Sequence, residues 1–202
     1  MATDAYMFFK FYANNTPSVG AQNNYLSSES QVSFDGVNIQ PEMSQPFTTA
    51  GSGQIFEVED YSFDIEQVLN IGSQSKGAGA GKVSFNPFSI TRPIDKSSPI
   101  IYQMACSGTP FETVGLGLRK GSGGTTAGQF FLNFMFKLVA VKTIAWSHDE
   151  TSPKETITFE YGGLQVRYGI QNPDGSIQSP PIKGGWNRVT NKQDLDLTSQ
   201  IS

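Results

Sequence analysis

At 202 residues the chain is long enough for one domain with a sizeable core. Its 21 glycines and 15 phenylalanines, beside only 16% charged residues, favour strands over helices. A formal net charge of −4 excludes the basic field that a dedicated nucleic-acid binder carries.

The N-terminus lacks the basic segment and long apolar core of a secretory leader, so no Sec signal peptide is expected. Residues 6–12, YMFFKFY, predict a strand dense in aromatics. From 13 to 54 the composition turns to Asn, Ser, Gln, Gly and Pro, the pattern of a long insertion or loop region. Within it, Val32 and Phe34, then Asp35-Gly36, then Val37 and Ile39 predict a hairpin, because Asp-Gly supplies the positive φ angles of a two-residue type I′ turn. Asn14-Asn15-Thr16 matches a glycosylation sequon by chance, given no leader.

Residues 55–71 resume strand character: Tyr61, Phe63, Ile65, Leu69 and Ile71 alternate with Ser62, Asp64, Glu66 and Asn70, the period of a half-buried strand. A polar glycine-rich turn follows over 72–81. In the next strand Val83 and Phe85 share one face and Phe88 and Ile90 the other, with Pro87 at the phase change, where a bulge or edge is expected. Residues 94–99, IDKSSP, then make a polar corner. Ser98 as cap and Pro99 at the first helical position predict a helix start, at ~1 kcal/mol for the cap. Ile100, Ile101, Met104 and Ala105 give a short apolar stripe, and Gly108 ends it. No other helix is predicted, and Cys106 is expected to be a small buried hydrophobe within this one.

Val114, Leu116 and Leu118 alternate with Thr113, Gly115, Gly117 and Arg119. Residues 130–146 carry apolar side chains on both faces in their first half, so one face meets the core and the other meets the helix or another subunit. Residues 147–154 read as an exposed hairpin loop holding His148. Ile157, Phe159 and Tyr161 resume the alternation, Gly162-Gly163 predict a bulge, and Leu164, Val166 and Tyr168 finish the strand. After a turn at 172–175 comes one last strand at 186–189, then a polar tail from 190 that is expected to be loose. One domain over 1–202 is expected, without repeats or linkers.

Catalysis is hard to build from these residues. One cysteine and one histidine do not make a zinc site without several carboxylates, and no third group orients a Cys106–His148 dyad. The segment GAGAGK fails as a phosphate loop, since Lys76 and Val83 stand where glycine and a hydroxyl residue are needed and a strand follows it.

The segments GKV (81–83), FSITRPIDKSSP (88–99) and RK (119–120), with YSF (61–63), 131–146, 156–168 and GGWN (184–187), closely resemble Hcp proteins, the tube-forming proteins of type VI secretion systems. The resemblance covers roughly 57–189, and Asp64 departs from it where the family has glycine. It implies a mainly β fold, a closed or nearly closed barrel of antiparallel strands with one short α-helix. It also implies hexameric rings that stack into a hollow tube, assembled in the bacterial cytoplasm and then exported. A spike protein, a contractile sheath and effector proteins are the implied partners. No enzymatic activity, cofactor, nucleic acid or membrane insertion is implied. The family-motif positions Gly81, Lys82, Asp95, Lys96, Ser97, Ser98 and Pro99 become candidates for the subunit interface, Asp95 and Lys96 as its charges. A local ion pair is the alternative for those two. Val32, Phe34, Asp35, Gly36, Val37 and Ile39 are then expected to form an arm that contributes to ring stacking, with packing on the same barrel as the alternative. The competing function is a monomeric β-sandwich module binding carbohydrate or protein, which native mass would separate from a hexamer.

Overall fold

The aromatic run near the start alternates across the first strand, β1 (Thr3–Phe11), and so divides the interior in two. Met7, Phe9 and Phe11 point into one core, while Tyr6 and Phe8 point into a second on the opposite face. The computed structural model describes residues 3–32, 34, 41–70, 79–120, 128–148, 152–173 and 176–197.

After β1 come the two-residue strands β2 (Ala21–Gln22) and β3 (Tyr25–Leu26), then helix α1 (Pro41–Ala50). Strands β4 (Phe56–Val58), β5 (Asp60–Ser62) and β6 (Ile65–Asn70) come next. Strands β7 (Gly79–Phe85) and β8 (Phe88–Pro93) precede helix α2 (Ser98–Ser107). Three long strands form the wall: β9 (Phe111–Lys120), β10 (Phe130–His148) and β11 (Pro153–Tyr168). The chain ends on β12 (Ile182–Asn187) and β13 (Lys192–Gln193).

All pairings are antiparallel. β1 lies beside β9 (Met7 opposite Leu116), β9 beside β10 (Phe134 opposite Leu116), and β10 beside β11 (Phe136 opposite Leu164). The other edge of β11 is shared: β8 takes its first half (Ile157 opposite Ile90) and β12 its second (Leu164 opposite Trp186). The wall is nearly closed by the bent stretch at 56–62. β4 bonds to β1, β5 bonds to β8, and Glu59 between them donates its N–H to the Thr91 carbonyl at 2.9 Å. A long strand over 55–71 was expected; it is broken at Glu59, where it changes partner, and again at Phe63-Asp64. There the hairpin kinks, with Asn86 Nδ2 donating to Asp64 at 2.6 Å, and β6 and β7 continue as a separate two-stranded sheet. The phase change at Pro87 falls at this kink.

Inside the barrel, Phe88 stacks on Phe136 at 4.1 Å and on Phe159 at 4.7 Å, and Phe9 meets Phe111 and Phe159. On β10 the alternation changes phase between Phe136 and Val139. Leu138 sits between them at φ 50°, so both phenylalanine and valine face inward. The bulge expected at Gly162-Gly163 lies instead on the partner strand, where the register shifts between Val141 and Thr143.

The outer face of this wall is covered by a second helix that composition did not suggest. Met43, Phe47 and Ala50 of α1, with Phe34, pack on Tyr6, Phe8, Phe130 and Met135. Glycines make the room: a Cβ on Gly117 would stand 2.5 Å from the Phe47 ring, and one on Gly115 2.3 Å from Phe8. This explains the VGLGL pattern of β9, with bulky residues facing in and none facing out. It also identifies what covers the second apolar face of β10, a helix of the insertion. Within α1, Pro46 has no N–H to give the Glu42 carbonyl. Arg167 of β11 supplies the missing donor, Nη1 to Glu42 O at 2.9 Å, and Asn133 Nδ2 donates to Met43 O. Burial pulls the Arg167 pKa below its ordinary value, while Asp196 and Glu42 act to raise it. The helix is therefore satisfied only when docked.

Two other expectations change. The insertion's Phe34 is buried in the second core with Val32 against it, so these two pack on their own barrel, while Asp35, Gly36, Val37 and Ile39 lie outside the described residues. The tail expected to be loose is held as far as Leu197: Asp194 donates its N–H to Gly185 O at 3.1 Å, and Leu197 is buried.

Candidate subunit interface

The IDKSSP corner joins β8 to α2, and its chemistry is set by a charge the strand carries inward. Phe88, Ile90 and Arg92 share one face of β8, so Arg92 enters the core at 2% exposure. Glu155 does the same on β11, in phase with Ile157 and Phe159, at 0% exposure. Their strands place them opposite each other. Glu155 Oε1 accepts from Arg92 Nε at 2.9 Å and Nη2 at 2.7 Å and from Ser98 Oγ at 2.9 Å. Its Oε2 accepts from Trp146 Nε1 at 3.1 Å. Arg92 Nη2 also reaches Asp95 Oδ1 at 3.1 Å and Ser97 Oγ, and the guanidinium lies 4.8 Å over the Phe56 ring. Every charge in the cluster is thus partnered, the condition under which buried ions are tolerated.

Asp95 belongs to this cluster. Burial works to raise its pKa, but Arg92 and the hydrogen bonds from Ser97 outweigh it and hold the carboxyl below its ordinary value. A carboxylate with a depressed folded pKa lends stability above its unfolded pKa, near 4, and that stability is lost as pH falls through the folded value. Acid titration of wild type should therefore show a loss of thermal stability below about pH 4 that Asp95→Asn flattens. Equal acid slopes in the two proteins would show that Asp95 is not held by Arg92 and Ser97.

The helix start differs from the expected one by a residue. Ser97 is the cap position, Ser98 the first helical residue and Pro99 the second, and no serine hydroxyl caps the helix. Asp95 closes the turn instead, accepting the Ser97 N–H at 2.9 Å on Oδ1 and the Ser98 N–H at 3.0 Å on its carbonyl. Ser98 Oγ turns inward because Glu155 lies within reach. Ser98→Ala should then cost about 1.5–3 kcal/mol, the range for a hydrogen bond to a charged group, in place of the ~1 kcal/mol of a cap. Chemical denaturation of the two proteins at equal m-value measures the difference. Gly108 ends the helix as expected, in the left-handed region at φ 67°.

Lys96 remains at the surface. Its backbone N–H donates to Glu29 Oε1 at 3.1 Å, and the Glu29 N–H donates to Asp95 Oδ2, so the insertion's first half folds over the corner. Gly81 and Lys82 fall within β7, but their side chains lie outside the described residues. Cys106, expected to be buried, is exposed, because Ile101 and Met104 form the buried face of α2 and Cys106 follows Tyr102 on the other. His148 is exposed at the end of β10, and among the described residues no group of three or more His, Cys, Asp or Glu side chains could hold a metal ion.

Sequence reasoning missed Arg92, Glu155 and Trp146. Each had a signal: two charges in phase with the buried alternation on facing strands, and a tryptophan paired directly with one of them. Trp146 is 56% exposed yet held by Glu155, and Tyr102 of α2, 51% exposed, lies 5.8 Å from it. With Ile94, Asp95, Ser98 and Pro99 they line a groove of about 300 Å³.

The fold defines the class: a mainly β protein built on a nearly closed antiparallel barrel, its helix set by a buried charge cluster. Residues 46–168, more than half of the chain, match the family described as type VI secretion system effector, Hcp. The chain is 32% identical over 112 residues to Protein hcp1 of Pseudomonas aeruginosa, covering 55% of this chain and 69% of that protein. This chain belongs to the Hcp family. Solved structures agree on the fold. A structure titled as a type six secretion system protein superposes with a TM-score of 0.69 at 21% identity, over 96% of this chain and 100% of that one. Hcp1 from Salmonella typhimurium gives 0.60 at 16% identity, with the same coverage.

Proposed function

We propose that this chain is a structural subunit of the type VI secretion tube, forming hexameric rings that stack into a hollow conduit for effector proteins. The observation that carries the reading is the family match over 46–168, which contains the barrel strands from β4 to β11 and the IDKSSP corner. The subunit itself is exported with the tube, driven by a contractile sheath behind a spike protein, and performs no catalysis. Lys96 serves as an interface charge, and the segment holding Asp35, Gly36, Val37 and Ile39 contributes to stacking between rings. Exposed Tyr102, beside a Trp146 that Glu155 holds in place, favours a protein contact, since large aromatics with exposed faces make good anchors. Native mass spectrometry with negative-stain imaging tests the reading. Six-membered rings with a central hole are expected, and a monomer at micromolar concentration would replace the tube with a binding module.

A further inference from the structure

Two apolar surfaces lie near opposite ends of β11. One is the shelf of Tyr102 and Trp146, with Ile94 and Pro99 beside them, where Trp146 pairs with Glu155. The other is a groove of about 630 Å³ lined by Ile65, Val83, Phe85, Leu164, Val166 and Trp186. It opens where β7 has left the line of β8 and β12 has taken over the edge of β11. Glu155 and Leu164 are nine residues apart on one strand, roughly 30 Å at ~3.3 Å per residue. The two surfaces therefore do not meet within one subunit.

We propose that the Tyr102–Trp146 shelf of one copy seats in the β7–β12 groove of the next, so that the subunits join head to tail; this rests on the ring reading above. The surfaces are unlike each other and far apart, which is what a heterologous contact requires, and such a contact closes into a ring when its rotation permits. About half of each ring of the shelf is still exposed, so the pair has ~150–250 Å² left to bury, and the opposing groove wall brings this to ~300–500 Å². That is the size of an apolar centre within a standard interface of ~1,200–2,000 Å². Trp146 is also ordered before contact, since Glu155 fixes its indole, and that side chain has little freedom left to lose.

Gly184 gives a clean way to block the groove. It lines the cavity, its φ is not positive, and a Cβ there would meet nothing within 4 Å, so Gly184→Trp can fill the space without disturbing the barrel. On the shelf, Tyr102→Asp removes one ring whose partners are all at the surface, and Trp146→Ser removes the other. Sedimentation and native mass of each purified protein, with thermal melts as a folding control, read the outcome. Wild type should be a hexamer, each variant a monomer, and an equimolar mixture of Tyr102→Asp and Gly184→Trp a dimer, because one intact shelf then meets one intact groove. A hexamer from Tyr102→Asp or Gly184→Trp overturns this pairing and leaves the ring reading standing, and so does a mixture that stays monomeric. A monomeric wild type overturns the ring reading and this contact with it.

Discussion

Arg92→Ala is expected to cost about 3–5 kcal/mol, the range for removing one partner of a buried ion pair. The guanidinium is the only cation contacting Glu155 and Asp95 among the described residues, and both carboxylates lose their counter-charge when it goes. Glu155 is the more demanding of the two, since it is fully buried and no water replaces the missing donors. Urea denaturation should show the midpoint falling with little change in slope. The double variant Arg92→Met with Glu155→Leu is expected to recover much of the loss, because replacing a buried pair by apolar groups is often neutral. A cost under about 1 kcal/mol for Arg92→Ala would mean that the cluster behaves like a surface pair.

The same cluster shows what the sequence made legible. The strands followed from period-two alternation and the barrel from the family resemblance, because inward residues are written directly into the chain at 88, 90, 157, 159 and 161. Alternation also carried the charges at 92 and 155, but a charge in phase reads as an exposed residue unless its partner on the facing strand is known, and register is a three-dimensional fact. The corner motif was visible, while the role of each member was not. Ser98 sits one residue from the cap position and bonds to a carboxylate 57 residues away. Cys106 was misplaced for a related reason: a ten-residue helix has too few apolar positions to fix which side is buried. The insertion was the least legible part, since Pro46 and the Thr-Thr pair near the end of PEMSQPFTTA argue against a helix on local grounds. Its apolar residues at 43, 47 and 50 do follow helical spacing, and tertiary contacts supply what the local sequence withholds.

Phe47→Ala is expected to release that helix while leaving the barrel folded. Phe47 is fully buried, stacked on Phe130 at 4.4 Å and 13° and edge-on to Phe8 at 5.3 Å, so truncation should cost about 3–5 kcal/mol of docking energy. The loss is local because Phe47 belongs to the outer core and has no part in the inner one, which Phe88, Phe136 and Phe159 hold together. Once undocked, α1 has little reason to stay helical. Ten residues are short for an isolated helix, and Pro46 leaves the Glu42 carbonyl unpaired unless Arg167 is alongside. Hydrogen exchange should then show the α1 amides losing protection, while amides of β9, β10 and β11 keep most of theirs. Phe88→Ala, a truncation of similar size inside the barrel, should lower protection everywhere. If Phe47→Ala instead lowers protection in the barrel as much as in α1, the outer core is part of one cooperative unit and the insertion is integral to the fold.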